Sequence, residues 1–391
     1  MALLAALAGL LCAVGAVESL AGWWLVRRFR GAPPAVPHAR PGITVLRPLY
    51  GPEPLLEAAL SSACAQDYPL FQVVFGVQDP ADPARMVAEG VRARFAAQDV
   101  AVVVDDTAQG ANRKVANLAN MLPAARHDVL VIADSDVHAA PDYLARIAAA
   151  LEQPGTGLAT TLYTGRPADR SRAARLGASA ITHGFLPGAL LARALGRQDA
   201  LGATLALRRG TLEAIGGFAA LSEHLADDHL LGHKVRALGL GVRLATTVPA
   251  TTVPESRLSA LWRHELRWGR TIRALAPLAF AASAVQYPLA WALAALALSG
   301  GAAWAVGLAA LAWAVRAAAA RGIDRALGLA SVGVLWLLPL RDLMSVAVLL
   351  ASFAGSRVTW RGRTMRAESL ETERARSEEH TSELQSRLHL V

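Results

Sequence analysis

Cysteine is scarce in this 391-residue sequence: Cys12 and Cys64 are the only two. They provide neither a disulfide framework nor a zinc cluster. Lysine is equally scarce, with Lys114 and Lys234 alone, although the net charge is +8. Nearly all the positive charge is arginine. Together with the abundance of alanine, this reads as GC-rich bacterial coding rather than a physical demand. The arginines gather beside apolar segments, which fits a membrane surface and not a nucleic-acid groove, so no nucleic-acid partner is expected.

What the chain has in excess is apolar residues: 54% of the sequence, with a mean hydropathy of +0.34. That is too apolar for an ordinary soluble enzyme, and the excess lies at the two ends. Residues 2–26 are apolar apart from Glu18 and Ser19, and end in Trp23-Trp24. About 20 helical residues cross a hydrocarbon core. Arg27, Arg28 and Arg30 follow, placing the next stretch in the cytoplasm. A cleaved signal peptide would carry its charge on the other side. Pro33, Pro34 and Pro37 mark a linker.

From residue 276 the chain is apolar again. Residues 276–298 and 301–316 are expected as two helices separated by Gly300-Gly301, with Arg316, Arg321 and Arg325 beyond them in the cytoplasm. A third apolar region, 327–353, is interrupted by Pro339, Arg341 and Asp342. It reads as one kinked span, two short ones or a re-entrant pair. Arg357, Arg361, Arg363 and Arg366 favour a cytoplasmic C-terminal end, hence an odd number of spans. Residues 376–391 resemble the translation of a sequencing adapter and are read as an assembly artefact.

Between the apolar ends lies a stretch of ordinary domain size. Strands are expected at residues 43–46, 72–77, 101–104 and 129–132, with helices at 53–65, 85–97 and from Asn112 onward. This alternation with short links predicts a mainly parallel α/β sheet flanked by helices. The second half is less regular. Residues 157–163 and 200–208 read as strands, the latter with small residues where a ligand or backbone comes close. Asp227-Asp228-His229 opens a helix, and 257–273 is basic and amphipathic.

The central stretch is Val129-Leu-Val-Ile-Ala-Asp-Ser-Asp-Val137. Its β-branched apolar run reads as a strand buried on both faces. Asp134 and Asp136 follow at its C-terminal end, where open α/β sheets bind ligands. Two carboxylates so close repel unless a cation joins them, and hard divalent cations keep substrate phosphates as co-ligands. The plain alternative is a polar loop or a helix cap. Asp79 and Asp82 precede prolines and are good turn formers. Asp227 or Asp228 is a good helix cap. Each acidic position alone has such an explanation. In this order, followed by His264-x-x-Arg267-Trp268, they are much more specific.

Taken together, Val45-Leu-Arg-Pro-Leu49, Gln66-Asp-Tyr-Pro69, Phe75-Gly-Val-Gln-Asp-Pro80, Asn112-Arg-Lys-Val115, Asp134-Ser-Asp136, Asp227-Asp228 and Arg267-Trp268 resemble the membrane-bound family 2/21 glycosyltransferases. The resemblance is greatest to the ceramide glucosyltransferase-like branch and to the hopanoid-biosynthesis glycosyltransferases within it. It implies a GT-A fold, Rossmann-like and mainly parallel, over 42–256. Around that domain the sequence is divided into an anchor (1–26), a linker (27–41), an interfacial helix (257–275), a membrane region (276–356), a cytoplasmic tail (357–375) and the adapter-like end (376–391).

The resemblance also implies roles. Asp79 or Asp82 would hold the uridine. Asp134 and Asp136 would reach the diphosphate through Mg²⁺ or Mn²⁺, with Lys114 near the nucleotide. Asp228 would be the general base. Arg267 and Trp268 would close the site over diphosphate and acceptor; His264 stands where the family motif has Gln or Arg. The expected reaction is inverting transfer of one sugar from a UDP-sugar to a membrane-lipid hydroxyl at the cytoplasmic face of a bacterial inner membrane. N-acetylglucosamine to a hopanoid such as bacteriohopanetetrol is preferred, with ceramide glucosylation as the alternative. A processive polysaccharide synthase would need more spans. A transport or binding protein would use Glu18, Arg341 and Asp342 as pathway residues.

Overall fold

The computed structural model describes residues 1–33, 36–330, 335–355, 357–360 and 363–366. The adapter-like residues 376–391 lie outside it. The chain forms two compact units.

The first unit comprises residues 20–257 and 318–335. The N-terminal helix α1 (Ala2–Gly31) enters it through residues 20–31. The sheet then begins with β1 (Ile43–Pro48), α2 (Leu56–Cys64), β2 (Phe71–Val77), α3 (Pro83–Arg94), β3 (Asp99–Val104), α4 (Arg113–Met121) and β4 (Val129–Ala133). Every residue of β1, β2 and β4 is buried, as expected of mainly apolar strands covered on both faces. After β4 come β5 (Val137–His138), α5 (Tyr143–Leu151), β6 (Thr156–Thr160), β7 (Thr164–Pro167), α6 (Arg172–Ala180), α7 (Leu186–Ala194), β8 (Thr204–Arg208), α8 (Arg209–Ala214), α9 (Asp227–Ala237), β9 (Gly241–Leu244) and β10 (Ala250–Val253).

Seven strands form the main sheet in the order β3-β2-β1-β4-β8-β6-β9. The β1–β2, β2–β3 and β1–β4 pairs are parallel. Only β8 is reversed, pairing antiparallel with β4 and β6. The chain reverses its direction of travel across the sheet between β1 and β4. That leaves a crevice beyond the strand ends, the usual ligand position in open α/β sheets. A second sheet, β5-β10-β7, was not anticipated from sequence.

Among the described residues, the second unit comprises 1–19, 258–317, 336–355, 357–360 and 363–366. It contains α10 (Leu258–Leu275), α11 (Pro277–Ala282), α12 (Pro288–Leu298), part of α13 (Ala303–Leu327), α14 (Leu338–Phe353) and a hairpin of β11 (Arg357–Trp360) with β12 (Arg363–Arg366). Among the described residues, three helices are long and apolar enough to cross a membrane: α1, α13 and Leu335–Phe353. The bent pair 277–286 and 288–298 makes a fourth if it counts as one span.

Two sequence expectations are corrected here. Residues 276–298 are not one helix; the chain bends by 72° at the break before Pro288. Tyr287 (φ −111°, ψ 69°) is outside the helical region, as a residue before proline tends to be. Arg316, Arg321 and Arg325 do not follow a helix that ends at 316 but lie within α13. Alanine and arginine are good helix formers, and α13 continues until Gly328 turns it at φ +67°. Gly322, inside it, is a packing glycine: a β-carbon there would collide with the Trp23 ring.

The ionisable residues of the apolar region pair with one another. Arg341 Nη1 and Nη2 donate to Glu265 Oε1 and Oε2, each at 2.6 Å. Asp342 Oδ2 accepts from the Leu289 N–H at 3.1 Å, and its Oδ1 lies 3.5 Å from Arg316 Nη2.

Candidate active site

The loop after β4 is fixed from below by Arg47. This arginine stands next to last in the wholly buried strand β1 and is 1% exposed. Its Nη1 donates to the Ala59 carbonyl at 2.8 Å. Its Nη2 donates to the carbonyls of Asp134 (2.7 Å) and Val137 (2.5 Å). The main chain on either side of Ser135-Asp136 is thereby held by one rigid, permanently charged fork. Sequence reasoning gave Arg47 no role.

Asp134 and Asp136 diverge in their partners. Asp134 Oδ1 lies 2.7 Å from Lys114 Nζ. Asp136 Oδ2 accepts a short hydrogen bond from Thr251 Oγ1 on β10. Burial and then the Asp134 charge push the Asp136 carboxyl up to about 7. Mutual repulsion of this kind is relieved by a cation beside both groups. Among the described residues, no three His, Cys, Asp or Glu side chains come together as a metal cage. Two carboxylates fit a hard cation that keeps phosphate oxygens as its other ligands, so the donor set suits the expected Mg²⁺ or Mn²⁺.

Lys114 joins three elements. Asn112 caps α4, accepting from the N–H groups of Lys114 and Val115, and sends Lys114 toward β4. Lys114 Nζ also lies 3.6 Å from Asp227 Oδ2 at the start of α9. Asn112 Nδ2 donates to Asp227 Oδ1 at 3.3 Å. Burial opposes the ammonium charge, but Asp134, Asp227 and Asp228 outweigh it and hold its pKa above the ordinary value.

Asp228 does not cap its helix. The N-cap of α9 is Ala226, with no side-chain capping bond. Asp228 Oδ1 instead accepts from the adjacent His229 N–H at 2.8 Å. Its other oxygen faces Gly202, where a β-carbon would sit 2.7 Å from it. The small residues before β8 therefore serve close approach, here of a carboxylate. Burial, then the Asp227 charge, push Asp228 up to about 6.

The sequence left Asp79 and Asp82 as alternatives, and the structure distinguishes their surroundings. Asp82 caps α3, accepting from the Ala84 N–H at 2.8 Å, and also from the Gly51 N–H at 2.9 Å. Asp79 is exposed just beyond β2, and its carboxylate accepts a local bond from the Ala81 N–H at 2.8 Å. His264, Arg267 and Trp268 all lie on α10, in the other unit. There the His264 and Trp268 rings meet edge-to-face at 4.6 Å.

A doubly wound sheet with paired carboxylates, a lysine and a further acidic pair beyond its strand ends is that of a GT-A glycosyltransferase. The family model of glycosyl transferase family 21 matches residues 7–372, and the chain belongs to that family. The ceramide glucosyltransferase of Komagataella phaffii is 35% identical over 122 residues, 30% of this chain and 24% of that protein. That of Candida albicans is 32% identical over 115 residues, 26% of this chain and 21% of that protein. The matches thus span under a quarter of the length of these curated relatives. A mannosyltransferase from Pyrobaculum calidifontis, solved in complex with GDP-Man and Mn²⁺, shares the fold with a TM-score of 0.51 and 22% identity, covering 90% of this chain and 99% of that one.

Proposed function

We propose that the chain transfers one sugar from a UDP-sugar to the hydroxyl of a membrane lipid, with inversion at the anomeric carbon. The observation that carries this reading is the meeting of Lys114 with Asp134 and Asp227 beyond the strand ends, with Asp136 and Asp228 beside them. A divalent cation on Asp134 and Asp136 would supply positive charge for the leaving diphosphate. Lys114 adds a second, fixed positive charge at the same place. On the motif resemblance alone, Arg267 and Trp268 are assigned to the diphosphate and acceptor; within α10, His264 packs against Trp268.

Asp79 is the candidate for the uridine, since the Asp82 carboxylate is already engaged by two backbone N–H groups. Asp228 takes the proton of the acceptor hydroxyl. A carboxyl raised to about 6 is a better base than an ordinary aspartate and remains ionised at neutral pH. No side chain is required as a covalent nucleophile, so one displacement inverts the sugar carbon.

The named relatives favour ceramide as the acceptor and glucose as the sugar. Transfer of N-acetylglucosamine to a hopanoid such as bacteriohopanetetrol is the second reading, on the motif resemblance. The helices long and apolar enough to cross a membrane support a multi-pass protein; the arginines after residue 26 favour the cytoplasm for the sheet unit, and the alanine- and arginine-rich composition a bacterial cell. A reporter fused after Arg30 tests that placement and should score as cytoplasmic.

The deciding experiment incubates membranes containing the protein with labelled UDP-glucose or UDP-N-acetylglucosamine and analyses the lipid extract by mass spectrometry. Ceramide and bacteriohopanetetrol are supplied in parallel. A labelled lipid names the sugar and acceptor. Protein that binds UDP with Mn²⁺ yet labels no lipid overturns the acceptor assignment; failure to bind UDP with any divalent cation overturns the whole reading.

A further inference from the structure

Tyr163 lies in the short link between β6 and β7, and both flanks of that link are tied to the site. On one side, the Thr160 hydroxyl accepts from the Leu201 N–H at 3.0 Å and donates to the Leu201 carbonyl at 2.9 Å. Leu201 precedes Gly202, the residue against Asp228. On the other side, the Thr164 N–H donates to the Pro249 carbonyl at 2.9 Å. There β7 pairs with β10, placing Gly165 opposite Thr251, the partner of Asp136. The link therefore runs from the general-base candidate to the metal-loop carboxylate. Burial and then the charges of Asp228, Asp134 and Asp136 raise the Tyr163 phenol above its ordinary pKa.

The Tyr163 ring packs on Phe185, with centroids 4.7 Å apart and planes inclined by 31°. Both rings are only partly buried, against Ala178, Ile181 and Val253. The polar side of this site is Asp134, Asp136, Asp227, Asp228 and Lys114, which suits a cation and a diphosphate. An aromatic pair contributes little to either. It suits the apolar body of an alcohol whose hydroxyl is presented to Asp228.

Phe185 is placed there by a five-residue π turn, Ile181–Phe185, between α6 and α7. Such turns are rare and recur at functional sites. His183 in this turn is buried and bonded at both ring nitrogens, to Ser179 Oγ at 2.9 Å and to Asp324 Oδ1 on α13 at 2.8 Å. Directly after the turn, Leu186 and Leu190 of α7 pack with Val26 of α1 and Ile323 of α13. The element that presents Phe185 is thus continuous with an apolar cluster built on the ends of two helices apolar enough to cross a membrane. An occupant drawn from the bilayer matches that continuity.

We propose that Tyr163 and Phe185 form the acceptor subsite and determine its preference for an amphipathic lipid alcohol, whose apolar body lies on the two rings while its hydroxyl reaches Asp228. This rests on the lipid-transfer reading and specifies which residues recognise the lipid.

The test uses the full chain in detergent micelles with Mn²⁺, UDP-glucose or UDP-N-acetylglucosamine, and short-chain fluorescent ceramide or bacteriohopanetetrol. Tyr163→Ala and Phe185→Ala should each raise the KM for the lipid about tenfold or more, the scale of a lost apolar contact. The KM for the UDP-sugar and Mn²⁺-dependent UDP binding should stay within about twofold. Phe185→Leu, which keeps an apolar group, should recover much of the loss. Melting temperatures confirm that the variants compared are folded, with Tyr163→Phe and Phe185→Leu available if either alanine variant is not. Unchanged lipid KM in folded variants, or an equal rise in donor and lipid KM, overturns the subsite while leaving the lipid-transfer reading intact. A parent protein that binds UDP but glycosylates neither lipid overturns that reading and the subsite with it.

Discussion

The guanidinium of Arg47 hydrogen-bonds to the main-chain carbonyl of Asp134 at 2.7 Å, so a buried cation on β1 fixes a candidate metal ligand through its backbone. Arg47→Lys keeps the charge but loses the planar fork that serves three carbonyls. Buried carbonyls left without donors cost about 1–3 kcal/mol, so the variant should melt several degrees lower. Mn²⁺-dependent UDP affinity, measured by calorimetry on the folded fraction, should fall about tenfold if the loop loosens by about 1.4 kcal/mol. Parent-like affinity would show that the β4 loop is held by its other bonds.

Metal and nucleotide should stabilise the parent together. A ligand pair at about 100 times its dissociation constant adds about 2.7 kcal/mol, visible as a rise in melting temperature when UDP and Mn²⁺ are both present. Asp134→Asn and Asp136→Asn should lose most of that rise. Asp136→Asn also removes a carboxyl held up at about 7 by burial and by Asp134, so its metal-free melting temperature at pH 8 should not fall. Full retention of the UDP–Mn²⁺ shift in both variants would reassign the cation.

Asp79 and Asp82 should separate cleanly. Asp82→Ala removes the α3 cap and the anchor of Gly51, costing about 0.5–2 kcal/mol and lowering the melting temperature. Asp79→Ala removes an exposed carboxylate and should leave stability unchanged while raising the KM for the UDP-sugar. A donor defect in Asp82→Ala alone, at normal stability, would exchange their roles.

The parallel half of the sheet and its acids were legible because they obey a simple rule: an apolar run of strand length, then carboxylates where the run ends. The strand over 129–132 followed by Asp134 and Asp136 is the clearest instance, and the observed β4 spans Val129–Ala133. Strands β5, β7 and β10 were not legible. They are two to four residues long, with Thr-Gly opening β7 and two threonines in β10, and too short for any apolar period. Thr251 was missed with them. Arg47 was missed because the strand was expected to end at residue 46, whereas β1 runs on to Pro48, and arginine is rarely so buried. The break before Pro288 had its signal in the proline. The extension of α13 through Arg316 had none, because Asp342, which pairs with it, lies on another helix.

Asp228 is the most decisive position. If it is the base, it must be ionised to work, and its carboxyl is pushed up to about 6. Transfer should therefore rise with pH through about 6 and fall away below it, with the limb in kcat/KM reporting the free enzyme. Asp228→Asn keeps an acceptor for the His229 N–H but cannot take a proton. Its turnover should drop by about 10²- to 10⁴-fold, with UDP affinity little changed, and the limb near 6 should vanish from the residual rate. The stability consequence has the opposite sign to that of a lost helix cap. A carboxyl whose folded pKa exceeds its unfolded value of 3.8 binds protons more tightly in the folded state. The parent therefore loses stability as pH rises from about 4 to about 6, and the loss persists above that. Without metal or nucleotide, Asp228→Asn should melt higher than the parent at pH 8, and the two curves should converge below pH 4. Turnover and melting measured on one preparation across that range decide the matter. A well-folded Asp228→Asn with normal turnover would move the base to another carboxylate, with Asp227 the first to replace.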